Sequence, residues 1–238
     1  MRKKTTILIF FISLFTVSTI KNYAQEKSPY LSESKGKYVN GKKEGLWKFY
    51  AINGKLIGKG KYEKGLKQGL WNIYEKSFIM FKKPAIKVNY KDGKKDGKTT
   101  YYETYYDVSK DRKKVFNRPS IIENWKNDLP HGTWTRYEDG KIWEEENYKE
   151  GVLHGPYIEY DYSNKEKRFS PVKGNYKDGN RNGSHKYWFE SGQIKKKIKF
   201  GLDTLEDGYI NELTLENHEW YESGQLKLKV YLSGLDDG

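Results

Sequence analysis

Tyr62-Glu-Lys-Gly65-Leu-Lys-Gln-Gly69-Leu-Trp71-Asn-Ile-Tyr74 is the stretch from which the fold can be read. An aromatic residue is followed by glycine three and seven residues on, and by further aromatics nine and twelve residues on. The frame returns as Tyr38, Gly41, Gly45, Trp47, Tyr50, and as Tyr90, Gly93, Gly97, Tyr102. It returns again as Trp125, Gly132, Trp134, Tyr137; as Tyr148, Gly151, Gly155, Tyr157, Tyr160; and as Tyr176, Gly179, Gly183, Trp188. Unit starts lie 24, 28, 35, 23 and 28 residues apart, and 24 more lead to Phe200, which opens a degenerate seventh unit. Self-similarity at a period of about 20–50 residues marks a repeat architecture. Units of such an array pack mainly on their neighbours, so the length of 238 residues does not count domains.

Within a unit the residues describe a β-hairpin. Residues 45–50 are rich in aromatics, Asn53-Gly54 is a strong hairpin-turn signal, and residues 55–62 return. Asp139-Gly140, Ser191-Gly192 and Ser223-Gly224 fill the same slot. The paired glycines of Gly-x-x-x-Gly are expected to form the turn at the opposite end, where a residue needs φ > 0. The resulting fold is all-β: tandem hairpins in one elongated, twisted antiparallel sheet. At about 4.7–4.9 Å per strand, some fourteen strands would extend roughly 65 Å, and a sheet that long must twist.

The segments Gly-Lys-Lys-Glu-Gly-Leu-Trp-Lys-Phe-Tyr (41–50), Gly-Leu-Lys-Gln-Gly-Leu-Trp-Asn-Ile-Tyr (65–74) and Gly-Val-Leu-His-Gly-Pro-Tyr-Ile-Glu-Tyr (151–160) resemble the MORN repeat family. They are more similar to its variant form, the pattern of bacterial YwqK-type antitoxin-like proteins. The resemblance spans about 38–238 and implies a MORN-type hairpin array that binds a partner protein without chemistry.

A net charge of +13 and low hydrophobicity lean toward disorder. Against this, 16% of residues are aromatic, prolines number only six, and the aromatics are periodic. Tyr and Trp bury large areas while keeping a polar handle, so a thin fold can be built from them. The absence of Cys excludes disulfides, thiolate metal sites, a Cys nucleophile and a lipobox cysteine. Residues 1–24 read as a cleaved signal peptide: Arg2, Lys3 and Lys4, then an apolar run from Ile7 to Val17, then Ala24 before Gln25. The run is shorter than the roughly 18–20 residues of a membrane span. Its removal takes away Arg2, Lys3, Lys4 and Lys21 and no acid, so +13 becomes +9. The expected product is exported, periplasmic or extracellular, with a polar leader at 25–37 before the repeat array at 38–238.

Catalytic chemistry is not expected. There is no Gly-x-Ser-x-Gly elbow, no phosphate loop and no dinucleotide fingerprint. Glu144, Glu145 and Glu146 alternate between faces of a strand and read as solvated. His131 and His154 share one slot, two strands or about 9.5 Å apart, too far for one zinc ion with bonds of about 2.0–2.1 Å. Glu44, Gln68, Asp96 and Asn182 hold that slot elsewhere, so it reads as a polar turn position. His185 and His218 have no nearby ligand partners. Neither metal nor cofactor is expected.

The aromatics form two rows, Tyr50, Tyr74, Tyr102, Tyr137, Tyr160, Trp188, Trp220 and Trp47, Trp71, Trp134, Tyr157. They read as a stacked core or as an exposed ledge for glycans or bases, and a spacing of three places the rows on opposite faces. Lys227 and Lys229 alternate with Leu226, Leu228 and Val230 and guard the last strand's edge.

Three hairpin tips are lengthened, at 76–85, 103–121 and 161–171, all on one edge of the sheet, where repeat insertions often build the binding face. They are basic and aromatic, and the candidate partner-binding residues are Lys82, Lys83, Tyr105, Tyr106, Lys110, Arg112, Lys113, Lys114, Arg118, Lys165, Lys167 and Arg168. The expected function is that of an exported, monomeric, antitoxin- or immunity-like scaffold for an acidic protein partner, a toxin being one candidate. An envelope-associated binder of anionic lipid or glycan is the alternative, and nucleic acid ranks third.

Overall fold

The computed structural model describes residues 31–74, 83–106, 115–161, 169–204 and 210–231. The segment 1–24, read from the sequence as a signal peptide, lies outside the described residues. The elements in chain order are β1 (Leu31–Val39), β2 (Lys42–Ala51), β3 (Leu56–Glu63), β4 (Leu66–Ile73), β5 (Ile86–Lys91), β6 (Lys94–Tyr106), β7 (Val115–Lys126), β8 (Leu129–Pro130) and β9 (Gly132–Glu138). They continue as β10 (Lys141–Lys149), β11 (Val152–Leu153), β12 (Gly155–Asp161), β13 (Phe169–Lys177), β14 (Asn180–Arg181), β15 (Gly183–Trp188), β16 (Ile194–Thr204), β17 (Ile210–Trp220) and β18 (Leu226–Tyr231). Each strand pairs antiparallel with the strands before and after it, from β1–β2 to β17–β18, in one open meander. The three two-residue strands β8, β11 and β14 run on into β9, β12 and β15. The chain is all-β, as the hairpin repeat requires.

The first glycine of each frame is a turn residue. Asn40-Gly41, Lys64-Gly65, Asp92-Gly93, Glu150-Gly151 and Asp178-Gly179 have φ > 0 at both positions, and Asn127-Asp128 makes the same turn without glycine. This is the type I′ geometry, whose twist matches that of the flanking strands. The second glycine is not in the turn, contrary to expectation. Opposite the two steps from Lys35 to Lys37, β2 takes four, from Glu44 to Lys48. β4 and β6 bulge alike, from Gln68 to Asn72 and from Lys95 to Thr99. Gly45, Gly69 and Gly97 sit in these bulges at φ +71, +64 and +91. Two extra residues preserve side-chain parity because the strand period is two, so the faces continue unchanged across these three bulges.

The residues read as a leader are also corrected. Residues 31–37 belong to β1, held by Ser32 Oγ donating to the Ala51 carbonyl at 2.8 Å and by Trp47 lying over Gly36. A Cβ on Gly36 would lie 2.3 Å from the Trp47 ring, and one on Gly60 would lie 2.1 Å from the Trp71 ring. Trp47 and Trp71 therefore each need a glycine beneath the ring on the preceding strand.

The core combines an aromatic ladder around Trp47, Tyr62 and Trp71 with an aliphatic cluster of Ala85, Ile86 and Val88. Tyr38, Trp47, Tyr62, Trp71 and Tyr90 meet edge to face at centroid separations of 4.9, 6.0, 5.0 and 6.0 Å. Such edge-to-face pairs are each worth about 0.5–1.5 kcal/mol beyond area burial. Cations cap the ladder from the residue two beyond each turn: Lys43 over Trp47 at 4.7 Å, Lys67 over Trp71 at 4.9 Å, Lys95 over Trp125 at 4.1 Å and Arg181 over Phe200 at 4.1 Å. The second aromatic row lies on the other face at Tyr50, Tyr102 and Trp188, covered there by Lys35, Lys87 and Lys173.

Candidate functional site

The two long edges of the sheet are built differently. At the glycine-turn edge, each turn is tied to the previous unit. The Gly65 amide donates to Lys43 O, Gly93 to Lys67 O, Gly151 to Pro130 O, each at 2.9 Å, and Gly179 to Leu153 O at 2.8 Å. In several units the residue before the second glycine adds a side-chain tie. Glu44 accepts from the Lys64 amide at 2.8 Å, Gln68 donates to Asp92 at 2.6 Å, and His154 Nδ1 lies 3.1 Å from Asp178 Oδ1. At His154 the slot therefore ties two turns, whereas His131 Nδ1 is buried without a hydrogen-bond partner among the described residues.

The opposite edge carries the long connections. The stretches 75–82, 107–114 and 162–168 all join strand ends on this edge, as do the short turns at Asn53-Gly54 and Asp139-Gly140. In unit three much of the lengthened hairpin tip at 103–121 is strand. β6 and β7 extend through most of that span, with Glu103 opposite Arg118, Tyr105 opposite Phe116 and Tyr106 opposite Val115. Aromatic and β-branched residues in register favour strand over loop.

Of the predicted rim residues, Lys83 is exposed beside Pro84. Tyr105 and Tyr106 are placed by backbone register in β6. Arg118 lies on β7 and reaches the neighbouring hairpin turn, donating to the Asp139 carbonyl at 2.9 Å with Asp139 Oδ1 at 3.5 Å. Lys82, Lys110, Arg112, Lys113, Lys114, Lys165, Lys167 and Arg168 lie outside the described residues.

A second constellation is not evident from the sequence. Glu144 and Glu146, two apart on β10, share the ladder face, and Arg136 stands opposite Glu144 on β9. Arg136 NH1 donates to Glu144 and, at 2.9 Å, to Glu146. Tyr148 OH donates to Glu146 at 2.9 Å, and Tyr157 OH lies 3.2 Å from both Glu144 and Glu159. One β-hairpin away, Glu123 accepts from Trp125 Nε1 at 3.0 Å and Tyr101 OH at 3.1 Å. Burial pushes the carboxyl groups of Glu144 and Glu123 above their ordinary range, although Arg136 and Lys95 respectively pull them down. Burial works against the Arg136 charge, but Glu144 and Glu146 outweigh it and hold the guanidinium charged. Burial and these same carboxylates push the Tyr157 and Tyr101 hydroxyls up, so both remain donors. Each of these carboxylates already has donors, so the cluster acts as a tie across β9, β10 and β12. Among the described residues, no group of three His, Cys, Asp or Glu is placed to hold a metal ion.

Neither a scan of protein-family models nor a search of curated proteins finds a match to this chain.

Proposed function

We propose that this chain is an exported, non-catalytic repeat scaffold that holds a protein partner at its loop-bearing edge, in the manner of an antitoxin or immunity protein. The asymmetry of the two edges carries the reading. Turn-to-turn bonds occupy one edge, whereas the three longest connections gather on the other. Stacked repeats supply a rigid frame from which such loops can recognise a partner. The satisfied state of the Arg136 cluster supports a structural rather than a reactive role for its carboxylates.

The test is a pull-down with the tagged protein from the source cells' envelope and culture fluid, beside a K110S/R112S/K113S/K114S variant. The expected result is one stoichiometric protein retained by the parent and lost from the variant. Equal retention by both, or no retained protein, overturns the proposal.

A further inference from the structure

Directly opposed residues on neighbouring strands share a face, so the register threads continuous rows of side chains across the sheet. One row on the face away from the tryptophan ladder carries two lysine triplets, separated by a stretch that includes Asn72, Thr100, Ile122, Thr135 and Ile158. Lys35, Lys48 and Lys59 stand opposite one another on β1, β2 and β3. Lys173, Lys186 and Lys197 do so on β13, β15 and β16. The same row contains Lys87 between the triplets and Lys229 beyond the second, opposite His218. Its one acidic member is Glu145.

Like charges directly opposed across strands are destabilising, and here they occur three deep at two places. The adjacent row on the ladder face is charge-balanced by contrast: Arg136 meets Glu144, and Lys196 meets Glu219 at 3.1 Å. Lys48, Lys59, Lys186 and Lys197 make no ion pair among the described residues. Solubility would be served by lysines scattered over the face; alignment in register points to a ligand with charges in a line.

We propose that the lysine row binds a linear acidic polysaccharide lying across the strands. The strand spacing of about 4.8 Å is close to the length of one sugar ring, so within each triplet one carboxylate per sugar can meet one lysine per strand. Eight strand-to-strand steps separate Lys59 from Lys173, or about 40 Å along the sheet. Neighbouring strands rotate by roughly 20–25°, so the two triplets face different directions. A flexible polymer can follow that line, but a planar bilayer cannot meet both ends. Single-stranded nucleic acid binds on open aromatic faces, whereas Tyr50, Tyr102 and Trp188 are lidded by Lys35, Lys87 and Lys173 at 5.4, 5.4 and 6.0 Å.

The surface is separate from the loop-bearing edge, and the experiment keeps the two apart. The full protein is titrated by calorimetry at low salt with oligogalacturonates of graded length. Chains too short to reach from one triplet to the other should bind weakly. Affinity should rise steeply, by about tenfold or more, once a chain spans about 40 Å and bridges both triplets. K48S/K59S and K186S/K197S variants should each abolish that rise and weaken the dependence on salt. Their melting temperatures should match or exceed the parent's, because like-charge repulsion is relieved. The K110S/R112S/K113S/K114S variant should bind oligogalacturonate like the parent. The proposal is overturned if the lysine variants bind as the parent does, if affinity ignores length, or if no oligogalacturonate binds. Tighter binding of oligo-dT, or binding only to anionic vesicles, overturns it equally.

Discussion

His185 donates its Nε2–H to the Asn175 carbonyl at 2.7 Å and thereby takes the part that tryptophan plays in other units. Trp134 Nε1 donates to the Asn124 carbonyl at 2.9 Å, and Trp71 Nε1 to the Lys61 carbonyl at 3.2 Å. In each case the acceptor is the residue before the aromatic that opens the unit. The imidazole meets Tyr176 and Phe200 edge to face at 5.6 and 5.1 Å and lies against Gly174. It is only 1% exposed, so it serves as a core aromatic with one hydrogen bond.

Burial holds the His185 pKa below its ordinary value of 6.5, against the pull of the Asn175 bond. The unfolded chain therefore takes up this proton at a higher pH than the folded one. Stability from the neutral imidazole is fully present above 6.5 and is lost as pH falls toward the folded pKa. Within that window the loss is at most about 1.4 kcal/mol per pH unit. H185F should lower stability by about 1 kcal/mol at neutral pH through the lost hydrogen bond, yet show a flatter melting-temperature profile from pH 8 to 5. Parallel profiles for parent and variant would contradict this.

The contact between Gly60 and Trp71 predicts a non-additive pair. G60A places a Cβ 2.1 Å from the Trp71 ring and should cost about 1–3 kcal/mol by overpacking. W71A should cost about 3–5 kcal/mol by cavity formation. With the ring gone the added methyl has room, so the double variant should lose clearly less than the two combined. Denaturant unfolding of all four proteins measures this, and simple additivity would show that the ring does not rest on Gly60.

Arg136 separates two carboxylates on one face. R136M removes their shared donor and leaves Glu144 and Glu146, with side chains 12% and 13% exposed, repelling each other. Breaking a fully buried pair costs about 3–5 kcal/mol, so about 2–3 kcal/mol is expected at pH 8. The variant's folded state should hold a proton on the Glu144 carboxyl to higher pH than its unfolded state does, because burial raises it and the Arg136 charge no longer opposes this. Its deficit should then shrink as pH falls from 8 to 5, and a constant deficit by denaturant unfolding would refute the arrangement.

Turns, strands and repeat order are legible in the amino-acid sequence alone because their causes are local. A type I′ turn at Lys64-Gly65 depends on two backbone angles, and alternation along β4 depends on the two-residue period of a strand. Even so, the first and second glycines of the frame look alike in sequence. That one turns the chain and the other bulges it follows from what each faces across the hairpin. Glycine recurs two residues before the aromatic at Gly36, Gly60 and Gly174, but its reason lies on the next strand, in Trp47, Trp71 and His185. The same holds for Arg136 among its glutamates and for Lys48 between Lys35 and Lys59. Local preference acts over a few residues. The meeting of side chains from separate strands depends on register, and register is set only when every bulge has been placed.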